Sequence, residues 1–218
     1  MKQNYIFFDL DGTLTQSGPG IINSVRYALK HWGIDEPDDA ALRRFIGPPL
    51  VYSFSTFYGF SHEDAVKAMA VYRECYADHG IFENSVYDGI PELLGALKAA
   101  GKHLCVATGK PEKFMFPILK HYDLFKYFDF CGGSDEAETH ADKTSVIRYV
   151  MGGCGARADD VVMVGDRHHD IDGAKANGVT SVGILYGYGD RAELEAAGAD
   201  YIVPAVANLR ALILTAPR

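Results

Sequence analysis

Short runs of apolar residues recur along the chain, and most of them are bounded by Gly, Asp or Pro. The first run, Tyr-Ile-Phe-Phe at residues 5–8, is closed by Asp9. Continuous apolar runs of this length are typical of strands that are buried on both faces of a sheet. The pattern therefore predicts strands at residues 5–8, 103–107, 127–131, 161–164, 179–185 and 201–203.

Stretches with apolar residues at helical spacing separate most of these runs. In one of them Leu93, Leu94 and Leu97 share a face, with Pro91 near the start and Gly101 just past the end. Alternation of strands and helices is typical of a parallel sheet with helices packed on its faces. Helices are predicted here at residues 91–100, 111–121, 143–151 (ended by Gly152-Gly153) and 171–177.

Residues 16–84 interrupt the alternation, because no strand-like run occurs among them. Their apolar spacing predicts helices instead, at residues 21–32, 38–45, 50–58 and 62–79. The aromatic residues of the third helix are interpreted as part of the core of this block rather than as a platform for substrate: Tyr52, Phe54, Phe57 and Tyr58. We therefore predict an α/β fold, with a Rossmann-like parallel sheet core sandwiched by helices at residues 1–15 and 85–218. Residues 16–84 are predicted to form an inserted all-helical cap subdomain.

Composition places the chain among soluble globular proteins, with 218 residues of which 48% are hydrophobic and 23% are charged. The net charge of −8 argues against a nucleic-acid-binding or anionic-membrane-binding surface, since both need clustered basic residues. No apolar stretch approaches the ~18 residues that span a bilayer, and none resembles a signal peptide. The four cysteines include no CxxC pair and are expected to be reduced thiols, which predicts a cytoplasmic protein.

Polar residues follow several predicted strands, and the first group is Asp9-Leu10-Asp11-Gly12-Thr13. Two acids two residues apart in an extended segment point to the same side. An ordinary turn explains such a group as well as a chemical site does. In a chemical site one carboxylate is a nucleophile, the other is a general acid and base, and Gly12 lets the backbone approach a phosphate.

Two further groups contain Thr108-Gly109-Lys110 and Lys143. Taken alone, Thr108 is better explained as a helix N-cap than as a ligand for phosphate oxygens. Lys143 lies near the start of a predicted helix, where the helix dipole disfavours a cation, so a role in neutralising phosphate is one interpretation. A solvated surface lysine is the simpler explanation of Lys143 alone.

The last group contains Asp166 and Asp170, four residues apart after the predicted strand at 161–164. Carboxylate oxygens suit Mg²⁺, although a helix cap or an exposed loop explains two acids equally well. His168 and His169 are expected to be exposed neighbours rather than ligands, because Mg²⁺ prefers oxygen. Ligands of open parallel sheets bind beyond the carboxyl ends of the strands, so all four groups are expected to converge there.

Together these motifs resemble those of the haloacid dehalogenase-like hydrolases, over the whole length of the chain. Residues 8–14, Phe-Asp-Leu-Asp-Gly-Thr-Leu, resemble the first motif of that family, and Gly165-Asp166-x-x-x-Asp170 resembles the fourth. Both motifs are highly specific, whereas Thr108 and Lys143 match the second and third motifs by position only. The helical insert and the segment Tyr186-Gly187-Tyr188-Gly189 are similar to the phosphoglycolate phosphatase-like branch.

The resemblance implies a role for each motif residue. It implies that Asp9 attacks phosphorus and becomes an aspartyl-phosphate, while Asp11 protonates the leaving oxygen and then activates water. Thr108 and Lys143 would bind the phosphoryl group. Mg²⁺ would be held by the Asp9 carboxylate, the Asp11 main-chain carbonyl and Asp166, with Asp170 orienting this shell. Further residues are predicted to bind substrate: Gly12, Thr13, Gly109, Lys110 and, in the cap, Arg44. Arg44 and its neighbour Arg43 are equally well explained as solvated charges on a helix.

The expected function is that of a Mg²⁺-dependent phosphatase acting on a small phosphomonoester, such as phosphoglycolate or a nucleoside monophosphate. Asp11 argues against dehalogenases and phosphonatases of this family, which lack it. A sugar-phosphate mutase of the β-phosphoglucomutase type shares the four motifs and is the alternative; a pyrophosphatase or a non-catalytic phospho-ligand sensor is less favoured. The expected partner is a small phosphorylated metabolite, and both a monomer and a homodimer stay open.

Overall fold

The computed structural model describes residues 1–135 and 142–215. The chain divides into two compact units, one of Met1–Thr15 with Val86–Arg218 and the other of Gln16–Ser85. We call these the core unit and the helical unit. The second boundary lies one residue after the predicted one, since Ser85 belongs to the helical unit.

The core unit is built on a parallel sheet of six strands in the order β3-β2-β1-β4-β5-β6. Its first strand pairs with both the second and the fourth, with Phe8 opposite Val106 and Val164. The strand order reverses at this point, which is where ligands of open α/β sheets bind. The strands are β1 (Tyr5–Phe8), β2 (His103–Pro111), β3 (Phe130–Ser134), β4 (Val161–Gly165), β5 (Thr180–Ile184) and β6 (Tyr201–Val203).

The described residues of the helical unit form helices joined by turns. The helices are α1 (Gly18–His31), α2 (Asp39–Arg43), α3 (Leu50–Tyr58) and α4 (His62–Asp78), and α4 packs against both α1 and α3. Phe54 is buried as expected, but Tyr52 is 57% exposed, so its prediction as a core residue is wrong. Residues two apart on a helix point in nearly opposite directions, so burial of Phe54 turns Tyr52 outward.

Helices cover the sheet of the core unit, and the predicted α/β fold is confirmed. Phe7, Cys105 and Met163 from the sheet pack with Val146 and Ile147 in one buried cluster. Burial of each such side chain contributes about 1.5–3 kcal/mol, which fixes the helix that carries Val146 and Ile147 against the sheet. The helices are α5 (Ile90–Ala99), α6 (Glu112–His121), α7 (Lys143–Cys154), α8 (His168–Ala176), α9 (Arg191–Ala197) and α10 (Val206–Leu214).

Some element boundaries differ from the sequence prediction for identifiable reasons. The third strand was expected at 127–131 but runs to Ser134, because pairing with β2 overrides the weak strand propensity of its two glycines. The third core helix continues through Gly152 and Gly153, which were expected to end it. A Cβ on Gly153 would overlap the Phe130 ring, so this glycine permits close packing; the left-handed residue after the helix is Gly155, with φ 70°.

None of the helices in the described part of the chain combines the length and apolar character required to cross a membrane.

Candidate active site

Three acids meet at the carboxyl ends of the two central strands of the core unit. Asp9 follows β1, and its N–H donates to the Val164 carbonyl at 2.9 Å, which ties it to β4. Asp166 follows β4, and Asp170 lies in the first turn of α8. Carboxylate oxygens of Asp9, Asp166 and Asp170 lie within 4.8 Å of one another. All three residues are at least nine-tenths buried.

Lys143 lies among these acids. Its Nζ is 2.7 Å from Asp9 Oδ1, 2.8 Å from Asp170 Oδ1 and 3.1 Å from the Ala107 carbonyl oxygen. The side chain is 9% exposed, so the explanation as a solvated surface lysine is wrong. Burial alone would lower the pKa of Lys143, but Asp170 and Asp9 together raise it, so its ammonium group stays charged.

The position of Lys143 follows from the start of α7, where Asp142 and Ser145 form a capping box. The Asp142 side chain accepts from the Ser145 N–H at 2.8 Å, and the Ser145 hydroxyl lies 3.3 Å from the Asp142 N–H. This box satisfies main-chain N–H groups at the helix start, which a lysine side chain cannot do because it has no acceptor. Its first-turn position, unfavourable for a lysine, is offset by Asp9 and Asp170.

The three acids together can carry more negative charge than Lys143 can neutralise. Burial, with repulsion from Asp170 and Asp11, raises the pKa of Asp9 to about 6, although Lys143 acts in the opposite direction. Burial, then Asp170 and Asp9, raise the pKa of Asp166 well above its usual range. Clustered, desolvated carboxylates of this kind are stabilised by a bound cation, and oxygen donors suit a hard one.

Two glycines allow the chain to close around Asp166. Gly12 has φ 83°, and a Cβ there would overlap Asp166 Oδ2. A Cβ on Gly187 would overlap both the Gly12 carbonyl oxygen and the side chain of Asp166. The Tyr188 N–H donates to Asp166 Oδ2 at 2.7 Å, and the Thr13 hydroxyl lies 3.5 Å from Asp166 Oδ1. Sequence reasoning gave Tyr188 no role, since a main-chain donor leaves no side-chain signature.

The segment Thr108-Gly109-Lys110 lies within β2 and does not start a helix. Thr108 is 1% exposed, and its hydroxyl accepts from the Lys110 N–H at 3.2 Å, so the N-cap explanation is wrong. Lys110 Nζ lies 3.0 Å and 2.8 Å from the two carboxylate oxygens of Asp11. Lys110, predicted to bind substrate, is therefore paired with the predicted general acid.

Arg44 and the two adjacent histidines have contacts of their own. Arg44 belongs to the helical unit, where its guanidinium carbon is 4.0 Å from the centroid of the Phe57 ring. Its predicted contact with substrate stays a prediction. His168 Nδ1 lies 3.0 Å from Asp172 Oδ2, so this ring is engaged on the outside of α8. His169 is half-buried rather than exposed as expected.

The chain is similar to known proteins over most of its length. The model of the family described as haloacid dehalogenase-like hydrolase matches residues 6–184. The 5'-nucleotidase of Pseudomonas aeruginosa is 44% identical over 208 residues, which cover 95% of this chain and 94% of that protein. The crystal structure of a predicted phosphatase from Clostridium acetobutylicum superposes with a TM-score of 0.95 at 46% identity, over 98% of this chain and 99% of the other.

Two further relatives are less similar in sequence to this chain. Tyrosine-protein kinase PtkA of Mycobacterium tuberculosis is 38% identical over 184 residues, covering 84% of this chain and 62% of that protein. Phosphoglycolate phosphatase 1 of Pseudomonas aeruginosa is 32% identical over 192 residues, covering 84% of this chain and 70% of that protein. The chain therefore belongs to the haloacid dehalogenase-like hydrolase family, as a phosphatase of its phosphoglycolate phosphatase-like branch.

Proposed function

We propose that this phosphatase hydrolyses a small phosphomonoester with bound Mg²⁺, through an aspartyl-phosphate on Asp9. The observation that carries this proposal is the contact of Asp9 Oδ1 with Lys143 Nζ at 2.7 Å, inside a buried cluster of acids. A carboxylate oriented by an ammonium group at a sheet edge is suited to in-line attack on phosphorus.

The reaction has two steps. In the first, an Asp9 oxygen forms a bond to phosphorus, the bond to the leaving oxygen breaks, and Asp11 gives that oxygen its proton. In the second, water attacks the phosphorus, Asp11 takes a proton from the water, and inorganic phosphate leaves the regenerated Asp9 carboxylate. Lys143 and Thr108 hold the phosphoryl oxygens, together with the backbone at Gly12, Thr13 and Gly109.

The donor set fits Mg²⁺, because the candidate ligands are oxygen atoms and carry more negative charge than Lys143 offsets. The Asp9 carboxylate, the Asp11 main-chain carbonyl and Asp166 would hold the ion. Asp170, which contacts Lys143 and accepts from the Arg167 N–H at 3.1 Å, would orient this shell. Bound Mg²⁺ supplies positive charge that offsets the phosphoryl oxygens and the carboxylates around them.

The substrate is a nucleoside monophosphate or a small acid such as phosphoglycolate. The similarity to a 5'-nucleotidase over nearly the whole chain favours the first, and similarity to phosphoglycolate phosphatases supports the second. The helical unit would act as a cap whose closure excludes water, with Arg44 among the residues that select the substrate.

The test is a screen of nucleoside monophosphates, phosphoglycolate, sugar phosphates and pyrophosphate with Mg²⁺, followed by phosphate release. We expect turnover of at least one phosphomonoester, its loss with EDTA and its recovery with Mg²⁺. Asp9→Asn should abolish turnover with the fold intact. Asp160→Asn is the matched control, since Asp160 precedes β4 at the opposite end of that strand and accepts from the Asn4 N–H.

The alternatives give different results in the same experiment. A mutase would convert sugar phosphates into isomers and release phosphate slowly. Its aspartyl-phosphate must resist hydrolysis long enough to phosphorylate a sugar. Phosphate release from pyrophosphate alone would indicate a pyrophosphatase, and tight ligand binding without turnover would indicate a sensor. The similarity to a tyrosine-protein kinase is tested with labelled ATP: phosphotyrosine on the chain would contradict the hydrolase proposal.

A further inference from the structure

Lys110 and Asp11 form an ion pair that the two proposed reaction steps leave unexplained. Lys110 Nζ contacts both carboxylate oxygens of Asp11, at 3.0 Å and 2.8 Å. The Lys110 side chain is 5% exposed and that of Asp11 is 15% exposed. An ammonium group that contacts both oxygens restricts rotation of the carboxylate, and partial burial strengthens the interaction beyond that of a surface pair.

The backbone of Lys110 is itself held in place. It lies near the end of β2, where the pairing register with β3 shifts between Ala107 and Pro111. The Lys110 N–H donates to the Thr108 hydroxyl at 3.2 Å. Thr108 and Lys110 are buried while Gly109 between them is exposed, as expected for alternating residues of a strand. Lys110 is therefore a fixed partner for Asp11.

The two lysines of the site serve different acids. Lys143 contacts Asp9, which the proposed reaction makes the nucleophile, whereas Lys110 contacts Asp11. We propose that Lys110 is a positioning residue, which orients the Asp11 carboxyl group toward the leaving oxygen and does not bind the phosphoryl group. This inference rests on the proposed function, in which Asp11 is the general acid and base.

Leaving-group dependence separates the two possible roles of Lys110. Protonation by Asp11 matters most for a basic alkoxide and least for p-nitrophenolate, which departs without a proton. A residue that acts through Asp11 should therefore affect alkyl phosphates more than p-nitrophenyl phosphate. A residue that binds the phosphoryl group should affect both equally, because both substrates share that group.

The experiment measures kcat/KM for an alkyl phosphomonoester and for p-nitrophenyl phosphate with Mg²⁺. We expect Lys110→Met to lower the alkyl value by on the order of 10-fold to 100-fold and the p-nitrophenyl value much less, mainly through kcat. Lys110→Arg, whose guanidinium also contacts two oxygens, should restore part of the alkyl activity. Lys98→Met is the matched control, because Lys98 Nζ also contacts both oxygens of its partner, Asp129, at 2.7 Å and 2.9 Å.

A double-mutant comparison keeps the inference testable if Lys110→Met folds poorly with Asp11 unpaired. In the Asp11→Asn background no carboxylate needs the lysine, and Lys110→Met should cause no further loss in kcat/KM for the alkyl substrate. An additional loss there, or an equal loss for both substrates in the single variant, overturns the inference while leaving the hydrolase proposal intact. Failure of the wild-type protein to hydrolyse either ester overturns both.

Discussion

Lys143 Nζ joins the side chains of Asp9 and Asp170, at 2.7 Å and 2.8 Å. The three residues come from the end of β1, the start of α7 and the first turn of α8. One ammonium group thus orients the proposed nucleophile and neutralises part of the charge of an acid proposed to order the metal shell. The contact makes Lys143 a structural as well as a chemical element of the site.

Removal of this lysine should be costly for both stability and activity. Lys143→Met leaves two buried carboxylates without their cation, and loss of one partner of a buried pair costs about 3–5 kcal/mol. Urea unfolding of the metal-free protein measures this change. Lys126→Met, which removes an exposed lysine, should leave stability nearly unchanged. Equal stability of the two variants would contradict the structural role of Lys143.

Divalent metal should stabilise the folded protein through the acid cluster. At 100 times its dissociation constant a ligand contributes about 2.7 kcal/mol to unfolding free energy. For a chain of this size this raises the melting temperature by roughly 5–10 °C. Differential scanning fluorimetry with and without Mg²⁺ measures the shift, which should disappear in Asp166→Asn and persist in Asp160→Asn. Persistence in Asp166→Asn would remove that residue from the ligand set.

Substitution of Gly12 should impair metal binding at the site in addition to destabilising the fold. In Gly12→Ala the residue would have to keep a positive φ of 83°. Its Cβ would also overlap Asp166 Oδ2. Gly101→Ala is the control, since its φ of 78° is similar and nothing lies within 4 Å of the added Cβ. The control should lose about 1–2 kcal/mol from backbone strain, with activity unchanged. Gly12→Ala should lose Mg²⁺-dependent stabilisation as well, as measured by the same melting experiment.

The buried thiols should resist modification in the folded state. Burial raises the pKa of Cys131 to about 12 and also raises the pKa of Cys105. A raised pKa removes the thiolate, so at pH 8 on the order of one Cys131 side chain in 10,000 is reactive. Titration with Ellman's reagent should leave Cys105 and Cys131 unmodified until guanidinium unfolds the chain, when all four cysteines react. Rapid modification of Cys131 in the folded protein would contradict its burial.

The pattern of short apolar runs was sufficient to predict the α/β fold, because strands covered on both faces leave a continuous hydrophobic signature. It was less reliable at glycines. Gly152 and Gly153 were expected to end the helix but lie within it. At Gly153 the close approach of the Phe130 ring, from a distant segment, requires a residue without a side chain.

By itself, the sequence determined that Asp9, Asp11, Asp166 and Asp170 follow strands, and strand direction places their ends at one edge. Only the tertiary structure decided which charges pair there. Lys143 and Lys110 looked alike as residues near predicted helix starts, yet one lies on Asp9 and the other on Asp11. The physical reason is that ion pairing acts over a few ångströms between segments about 100 or more residues apart. No local pattern records such distances.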